Sequence, residues 1–256
     1  MRKLYFAVLL ALMVIAAGCI SPNKAPSPTS TTSTTSPNLP FTAEDMKRAI
    51  EGMQSYEYSM KIETYNGTKL AGQLATEGAV DIKEGLKSIV TVSNSTAKGF
   101  MYYRTYYYTT RKGYASLIDR NGTVTWEAAC YGQGEGPNLT TSILDNLWQV
   151  LNFPSVEVEE EGDYYIIHAN TTSGTIEGGT RDVRAYKTQV EVKLTKDLIP
   201  VAIRETVHYT RNGQRWVDVI TVDVWNVNRA EVTPPEELVN YLEEQGVNLE
   251  ELLAKC

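Results

Sequence analysis

The chain is predicted to fold as an α+β protein dominated by antiparallel β-structure. Three observations point to this class: long segments in which apolar and polar residues alternate, turn signals between those segments, and only four short segments with helical periodicity. In residues 55–65 every second residue is apolar, and Asn66-Gly67 then marks a tight hairpin turn. Because such turns join neighbouring antiparallel strands, we expect a β-meander.

The predicted strands are long, and long antiparallel strands twist and coil. We therefore expect a curved sheet. The predicted ranges are 55–65, 69–82, 86–95, 99–110, 113–120, 122–130, 156–161, 163–170, 175–180, 183–195, 199–210 and 214–227.

The helical segments are short and carry recognisable caps. Thr42 with Asp45 forms a capping-box pattern at the start of the first helix. The second, residues 141–152, has an apolar stripe broad enough to cover a sheet. Two more follow the last strand: one ends near Gly246, and Asn248 caps the other.

The segment 216–225, WVDVITVDVW, is apolar on both of its faces. One face of an antiparallel sheet is usually solvated, so this strand is either covered on both sides or lines a cavity. We predict an open cavity between this strand and helix 141–152, because one short helix cannot fill the concave side of a coiled sheet. The candidate cavity residues are Trp148, Leu144, Trp216, Trp225 and Tyr106.

The N-terminal segment is typical of a secretory signal peptide. Arg2 and Lys3 precede an apolar run from Leu4 to Ala17, and small residues stand directly before Cys19. This pattern resembles a lipobox, so Cys19 is predicted to carry a lipid and to become the mature N-terminus. A plain cleaved signal and an uncleaved anchor helix are the alternatives, and all three export the rest of the chain.

Three regions are therefore predicted. Residues 1–18 form the signal peptide, residues 19–40 the lipidated cysteine with a Ser/Thr/Pro-rich tether, and residues 41–256 a single β-rich domain. The tether has almost no apolar content, so it cannot bury enough surface to offset the entropy of ordering.

Charge and composition limit the partners. The formal net charge of −7 disfavours nucleic acid and gives no attraction to an anionic membrane. Membrane contact is therefore predicted to depend on the lipid on Cys19, with a lipid or other hydrophobic molecule as a possible ligand. No protein partner is indicated.

An exported domain can carry disulfides and glycans. Once Cys19 is used for lipid, Cys130 and Cys256 remain, and we predict a disulfide between them. Asn-x-Ser/Thr sequons are more numerous than chance predicts, and their combination with a lipobox is typical of an archaeal cell surface. The candidate glycosylation sites are Asn66, Asn94, Asn121, Asn138 and Asn170.

The sequence contains no motif of enzymatic, metal or cofactor chemistry. Its two histidines, His168 and His208, lie in predicted strands, and there is no zinc, Walker or nucleophile-elbow motif. Catalysis by scattered carboxylates needs only convergence in space, which the sequence leaves open. We expect a non-enzymatic protein without metal or cofactor.

The order of the elements is itself informative. A lipobox and a linker lead to a helix, then to Ser-Tyr-Glu-Tyr-Ser-Met-Lys-Ile-Glu, long strands, a central helix and more strands. Val-Asp-Val-Trp-Asn-Val-Asn and Val-Thr-Pro-Pro-Glu follow. From Thr42 to Leu238 this order resembles lipoproteins of the LolA and LppX/LprG type. The resemblance rests on apolar patterns, so it assigns no site residue.

The resemblance implies a curved antiparallel half-barrel of about ten to twelve strands, with helices covering its concave side around a cavity for acyl chains. Two functional interpretations remain. The first is a membrane-anchored extracytoplasmic lipoprotein that binds a lipid or other hydrophobic ligand in this cavity. The second is a non-enzymatic cell-surface structural or protein-interaction lipoprotein with a filled core.

Overall fold

The structure, a computed structural model, describes residues 39–96, 101–139, 144, 146–172 and 183–256. The predicted signal peptide, Cys19, most of the tether and the predicted strand 175–180 lie outside the described residues. So does most of the first half of the predicted helix 141–152.

Eleven antiparallel strands form one curved, unclosed sheet, which confirms the predicted fold class. The sheet order is β6-β5-β4-β3-β2-β1-β11-β10-β9-β8-β7, with β6 and β7 at its edges. The strands are β1 (Ser55–Asn66), β2 (Lys69–Asp81), β3 (Leu86–Ser95), β4 (Met101–Thr109), β5 (Gly113–Arg120), β6 (Thr123–Cys130), β7 (Ser155–Glu161), β8 (Tyr164–Thr171), β9 (Val183–Thr195), β10 (Pro200–Arg211) and β11 (Gln214–Trp225).

The sheet consists of two meanders that meet at its centre. β1 to β6 form one meander and β7 to β11 the other. They join where β1 pairs with β11, from Glu57 opposite Trp225 to Asn66 opposite Trp216. The pairing registers therefore show which residues of the eleven strands lie on the same face of the sheet.

In the described part of the chain, four short helical segments accompany the sheet: α1 (Ala43–Glu51), a 3-10 helix (Leu147–Asn152), α2 (Glu236–Glu244) and α3 (Leu249–Ala254). The predicted capping box at α1 is confirmed, because Thr42 Oγ1 accepts from the Asp45 N–H at 3.1 Å and Asp45 accepts from the Thr42 N–H at 2.9 Å. Asn248 caps α3 as predicted. No helix in the described part of the chain is both long enough and apolar enough to cross a membrane.

The first core lies on the face of the sheet that carries Ile62, Ile203 and Ile220, which we call the first face. Met46 of α1 and Leu147 of the 3-10 helix are fully buried in this core. α1 and the 3-10 helix therefore cover the first face at the end of β1 where the chain enters the sheet. We call this end the α1 end.

A close backbone approach at Gly78 supports this core. Tyr58 lies on the first face beside Gly78, and a Cβ added there would stand 2.5 Å from the Tyr58 ring. Only glycine leaves room for the buried phenol at this position.

The second core lies on the opposite face, called the second face, in the other half of the sheet. Leu238 and Leu242 of α2 and Leu253 of α3 pack there with Tyr106 and Leu117. The sequence did not predict this division: α1 and the 3-10 helix lie on one face, and α2 and α3 on the other. Each side of the sheet thus has its own helical cover, over a different half.

The Cys130–Cys256 disulfide joins the end of β6 to the residues after α3, with a Cα–Cα distance of 5.1 Å. The predicted pairing is therefore present. It fixes the C-terminal helix to the second face.

Breaking this disulfide is expected to destabilise the domain. In the chain-entropy account, closing a loop with a sequence separation of 126 contributes at most about 5 kcal/mol to the free energy of unfolding. We expect Cys256→Ser to lower this free energy measurably in urea denaturation. Cys130→Ser and reduced wild type serve as controls and should unfold at the same midpoint as Cys256→Ser. Equal midpoints for the oxidised wild type and all three would contradict the prediction.

Candidate functional site

A section of the first face on β3, β4 and β5 carries apolar side chains that belong to neither core. Ile89, Met101 and Ile118 lie on this face by register and are half-buried. Within the described ranges, no first-face residue of these three strands is part of the first or second core. We call this surface the open section.

Hydroxyl side chains lie among the apolar residues of the open section and its border. The Thr76 and Thr91 side-chain oxygens lie 3.2 Å apart, and the buried Thr105 hydroxyl has no hydrogen-bond partner among the described residues. The surface is therefore amphipathic, as expected for a face that binds a molecule with both apolar and polar parts.

Across β1 and β2 from the open section, the first face carries a group of buried polar side chains. Glu205 and Tyr209 lie on β10, and Asp218 and Trp216 on β11. We call these four residues the carboxyl cluster. Glu205 stands opposite Ile220 and Asp218 opposite Val207, so the two carboxyl groups are diagonal cross-strand neighbours.

Glu205 is the most unusual member, because its side chain is 1% exposed and neither carboxyl oxygen has a hydrogen-bond partner among the described residues. Burial, reinforced by the charge of Asp218, raises the pKa of Glu205 to about 8. At neutral pH Glu205 therefore holds its proton and presents a hydrogen-bond donor together with an acceptor.

Opposing effects act on the pKa of Asp218. Burial raises its pKa to about 6, whereas hydrogen bonds from Thr64 and Tyr209 and the charge of Arg211 act in the opposite direction. The Tyr209 hydroxyl donates to Asp218 Oδ1 at 3.3 Å. Asp218 is consequently ionised at neutral pH beside a protonated Glu205.

Trp216 completes the cluster with a donor. Its Nε1 atom is buried and has no hydrogen-bond partner within the described chain. Trp216 stands opposite Tyr209 on the same face, so the indole lies next to the phenol that binds Asp218. The cluster thus offers Trp216 Nε1 as an unused donor and the Glu205 carboxyl as an unused donor and acceptor.

The carboxyl cluster and the open section belong to one continuous surface. Asp218 pairs with Thr64, Thr64 with Gly72, and Gly72 with Ser95 on β3. Strand spacing places β3 about 14 Å from β11 along the sheet. The row Asp218–Thr64–Gly72–Ser95 connects the two regions beside the first core, because Thr64 and Gly72 are half-buried and belong to neither core.

The five predicted cavity residues do not meet at one site. Leu144 and Trp148 belong to the first core, and Lys47 lies over the Trp148 ring at 5.7 Å. Trp216 belongs to the carboxyl cluster. The other two, Tyr106 and Trp225, lie on the second face.

Tyr106 and Trp225 were therefore predicted in the wrong place. Tyr106 is buried in the second core. Trp225 is 42% exposed, and its Nε1 donates to Glu57 Oε2 at 2.6 Å. The apolar appearance of both faces of strand 216–225 led to this error, because periodicity does not show which face is covered.

The predicted gap beneath helix 141–152 is also corrected. Leu147 and Val150 pack in the same core as Ile220 and Val222, so the 3-10 helix lies directly on the sheet. Side chains of the first core therefore fill the space between this helix and the sheet.

Sequence reasoning missed Glu205 and Asp218 as site residues. A signal was present, because each is a carboxylate on an otherwise apolar face: Asp218 between Trp216 and Ile220, and Glu205 between Ile203 and Val207. A carboxylate in such a register is costly unless it has a role. Their proximity depends on β10–β11 pairing and was not visible locally.

The predicted glycosylation sites differ in accessibility. Asn66, Asn121 and Asn138 are exposed at strand ends, turns or loops, whereas Asn94 and Asn170 are half-buried within strands on the second face. Over the described ranges, no group of three or more His, Cys, Asp or Glu residues could hold a metal ion.

Comparisons with solved structures found similar folds at low TM-scores and low sequence identity. A LolA superfamily protein from Nitrosomonas europaea, NE2245, matches with a TM-score of 0.27 and 9% identity, covering 79% of this chain and 100% of that chain. A DUF1329 family protein from Desulfovibrio piger matches with a TM-score of 0.26 and 10% identity, covering 80% and 97%.

Rv2717c from Mycobacterium tuberculosis matches with a TM-score of 0.25 and 8% identity, covering 70% of this chain and 98% of that chain. No known family profile matches the chain. No curated protein matches it in sequence. NE2245 thus belongs to the LolA superfamily, the group whose lipoproteins the order of elements in this chain resembles.

Glu205 should make stability depend on pH. Its pKa rises from 4.5 to about 8 on folding, so the folded state binds the extra proton and the free energy of unfolding falls as pH rises through this window. Asp218 adds to this pH dependence only up to its pKa of about 6. Raising the pH from 6 to 8 should therefore lower the free energy of unfolding by about 3 kcal/mol through Glu205.

We expect Glu205→Gln to abolish this loss, measured as the difference from wild type in urea denaturation at pH 6 and 8. Glu77→Gln, at an exposed position on the second face, is the matched control and should follow wild type. Parallel pH profiles for wild type and Glu205→Gln would refute the assignment.

Proposed function

We propose that this chain is a non-enzymatic extracytoplasmic lipoprotein that binds a lipid or another hydrophobic ligand on the first face of its sheet. One observation carries this proposal: Ile89, Met101 and Ile118 lie half-buried on the first face of β3 to β5, outside both cores. Apolar side chains assembled on one face favour an apolar partner, because burial of their surface is the main driving force for binding.

The position of the helices supports a ligand at this place. α1 and the 3-10 helix fill the α1 end of the first face, and α2 and α3 cover the second face behind the open section. A molecule bound to the open section would therefore rest on strands that are backed by the second core. Such a rigid floor limits the entropy lost on binding.

The chemistry of the site favours binding over catalysis. The carboxyl cluster contains two carboxyl groups, a phenol and an indole. The Tyr209 phenol donates to Asp218, but burial raises its pKa, so it stays protonated and is a poor nucleophile. Its polar groups can orient a ligand, which is the usual role of a few polar side chains in an apolar site.

The proposed location is the extracytoplasmic face of the cell membrane, with a lipid on Cys19 as the anchor. The apolar N-terminal run, the small residues before Cys19 and the Ser/Thr/Pro-rich tether support this assignment. A tethered protein would bind its ligand near the membrane, and the sequons support an archaeal, glycosylated cell surface.

Ligand binding can be tested by native mass spectrometry of the purified protein. We expect wild type to retain a lipid, and Thr91→Trp to lose it because the indole would fill the open section. Val92→Trp is the matched control: it is the neighbouring residue and points to the second face. Circular dichroism should confirm that both variants fold. Equal lipid retention by Thr91→Trp and Val92→Trp, or no lipid on wild type, would disprove the proposal.

Anchoring can be tested separately. We expect Cys19→Ser to release the protein from washed membranes, because the lipid can then no longer attach, and intact mass should show the loss of the acyl groups. Unchanged membrane retention of this variant would argue for an uncleaved anchor helix instead.

One observation favours the second interpretation, a protein-interaction lipoprotein. The Tyr131 N–H donates to the Lys112 carbonyl at 2.8 Å, so these two residues form a hydrogen-bonded pair of the β5–β6 ladder. Hydrogen-bonded pairs alternate along an antiparallel ladder, so the backbone groups of Val124 and Trp126 on edge strand β6 point away from β5. Trp126 is 38% exposed, whereas the other edge, β7, is blunted by glutamates. A lipid-free wild type that pairs through β6 would favour this alternative.

A further inference from the structure

We infer that the carboxyl cluster recognises an uncharged hydroxyl group at the polar end of the ligand, and that it rejects an anionic end such as a phosphate. This inference rests on the proposed function, since it specifies the class of lipid that the first face would bind. It assigns recognition to Glu205, Asp218 and Trp216.

The unused hydrogen-bonding groups indicate what the ligand must supply. Glu205 is buried with two carboxyl oxygens that lack partners, and the buried Trp216 Nε1 also lacks one among the described residues. A buried polar group without a hydrogen bond is costly, so each favours a ligand atom that completes it. A hydroxyl group can donate to one Glu205 oxygen while it accepts from the carboxyl O–H, and a second polar atom of the ligand can accept from Trp216 Nε1, since Trp216 lies four residues along β11 from the partner of Glu205.

The charges of the cluster argue against an anion. Asp218 accepts from Tyr209 at 3.3 Å and is also bound by Thr64, so its carboxylate is fixed on the same face. Arg211 is the positive charge that acts on Asp218, and the carboxylate already balances it. Phosphate here would place a second negative charge beside a buried carboxylate, where low polarity strengthens the repulsion.

The register provides a path along the first face for such a ligand. With its hydroxyl at the carboxyl cluster, its chains would follow the row Thr64–Gly72–Ser95 toward Met101 of the open section. The distance of about 14 Å from β11 to β3 is within the reach of an extended lipid chain. The polar and apolar halves of the surface would then match the two halves of an amphipathic molecule.

Three probe lipids with identical chains test the inference on the purified full-length protein: a dialkylglycerol with a free hydroxyl, its O-methyl ether and its phosphate monoester. We expect the alcohol to bind at least about tenfold more tightly than either analogue. The ether cannot donate a hydrogen bond, and the phosphate is repelled. Native mass spectrometry with the probes in competition gives the ratios directly.

Two variants test whether Asp218 causes the preference for the alcohol over the phosphate. Asp218→Asn should bring the phosphate to within about threefold of the alcohol, because the repelling charge is removed. Asp223→Asn is the matched control: it lies on the same strand, is exposed and points to the second face, so its ratios should equal those of wild type.

The outcomes separate this inference from the proposed function. Equal binding of all three probes by wild type, or a preference for the phosphate that Arg211→Gln abolishes, would overturn the inference and leave lipid binding intact. The same alcohol-to-phosphate ratio in wild type and Asp218→Asn would also overturn it. Binding of none of the probes would overturn both.

Discussion

Pairing of β1 with β11 is the contact on which the rest of this structure depends. It joins residues near the start of the domain to residues near its end, and it converts two separate meanders into one sheet of eleven strands. A slip of one residue in this register would move Ile62 and Ile220 to opposite faces and break the first core. The apolar matching of Met60 with Val222 and Ile62 with Ile220 specifies the register.

Because β1 and β11 fix one common face, the helical cover of each half can differ. α1 and the 3-10 helix pack on the first face, whereas α2 and α3 pack on the second face and are held there by the Cys130–Cys256 disulfide. This division leaves the first face of β3 to β5 outside both cores. The candidate ligand surface is therefore a consequence of where the helices attach, since the strands themselves continue through it.

The carboxyl cluster lowers the stability of the fold, because polar groups are buried where apolar side chains would pack. Glu205 is buried beside Asp218, and its carboxyl has no hydrogen bond to any residue that the structure describes. A leucine at this position would pack with Ile203 and Val207 at no electrostatic cost. Such expensive groups typically mark functional sites. The proposed recognition of a hydroxyl group gives this cost a role, because the same unsatisfied atoms would bind the ligand.

The sequence alone determined the local features. Alternation and turn residues predicted ten of the eleven strands to within about two residues, Thr42 and Asn248 predicted caps that are present, and the count of cysteines predicted the disulfide. For the remaining strand, β4, the prediction began at 99, outside the described residues. These features depend on neighbouring residues, or on very few possible pairings, so they can be read along the chain.

Only the tertiary structure decided which faces are covered and which polar groups meet. Alternation shows that Trp225 and Trp216 lie on opposite faces, but the helix that buries one face is distant in sequence, so Trp225 was misplaced. Glu205 and Asp218 become neighbours through the β10–β11 register, and their pKa values depend on burial that assembled strands create. Periodicity fixes the side of a strand on which a residue lies, whereas long-range packing decides what that side faces.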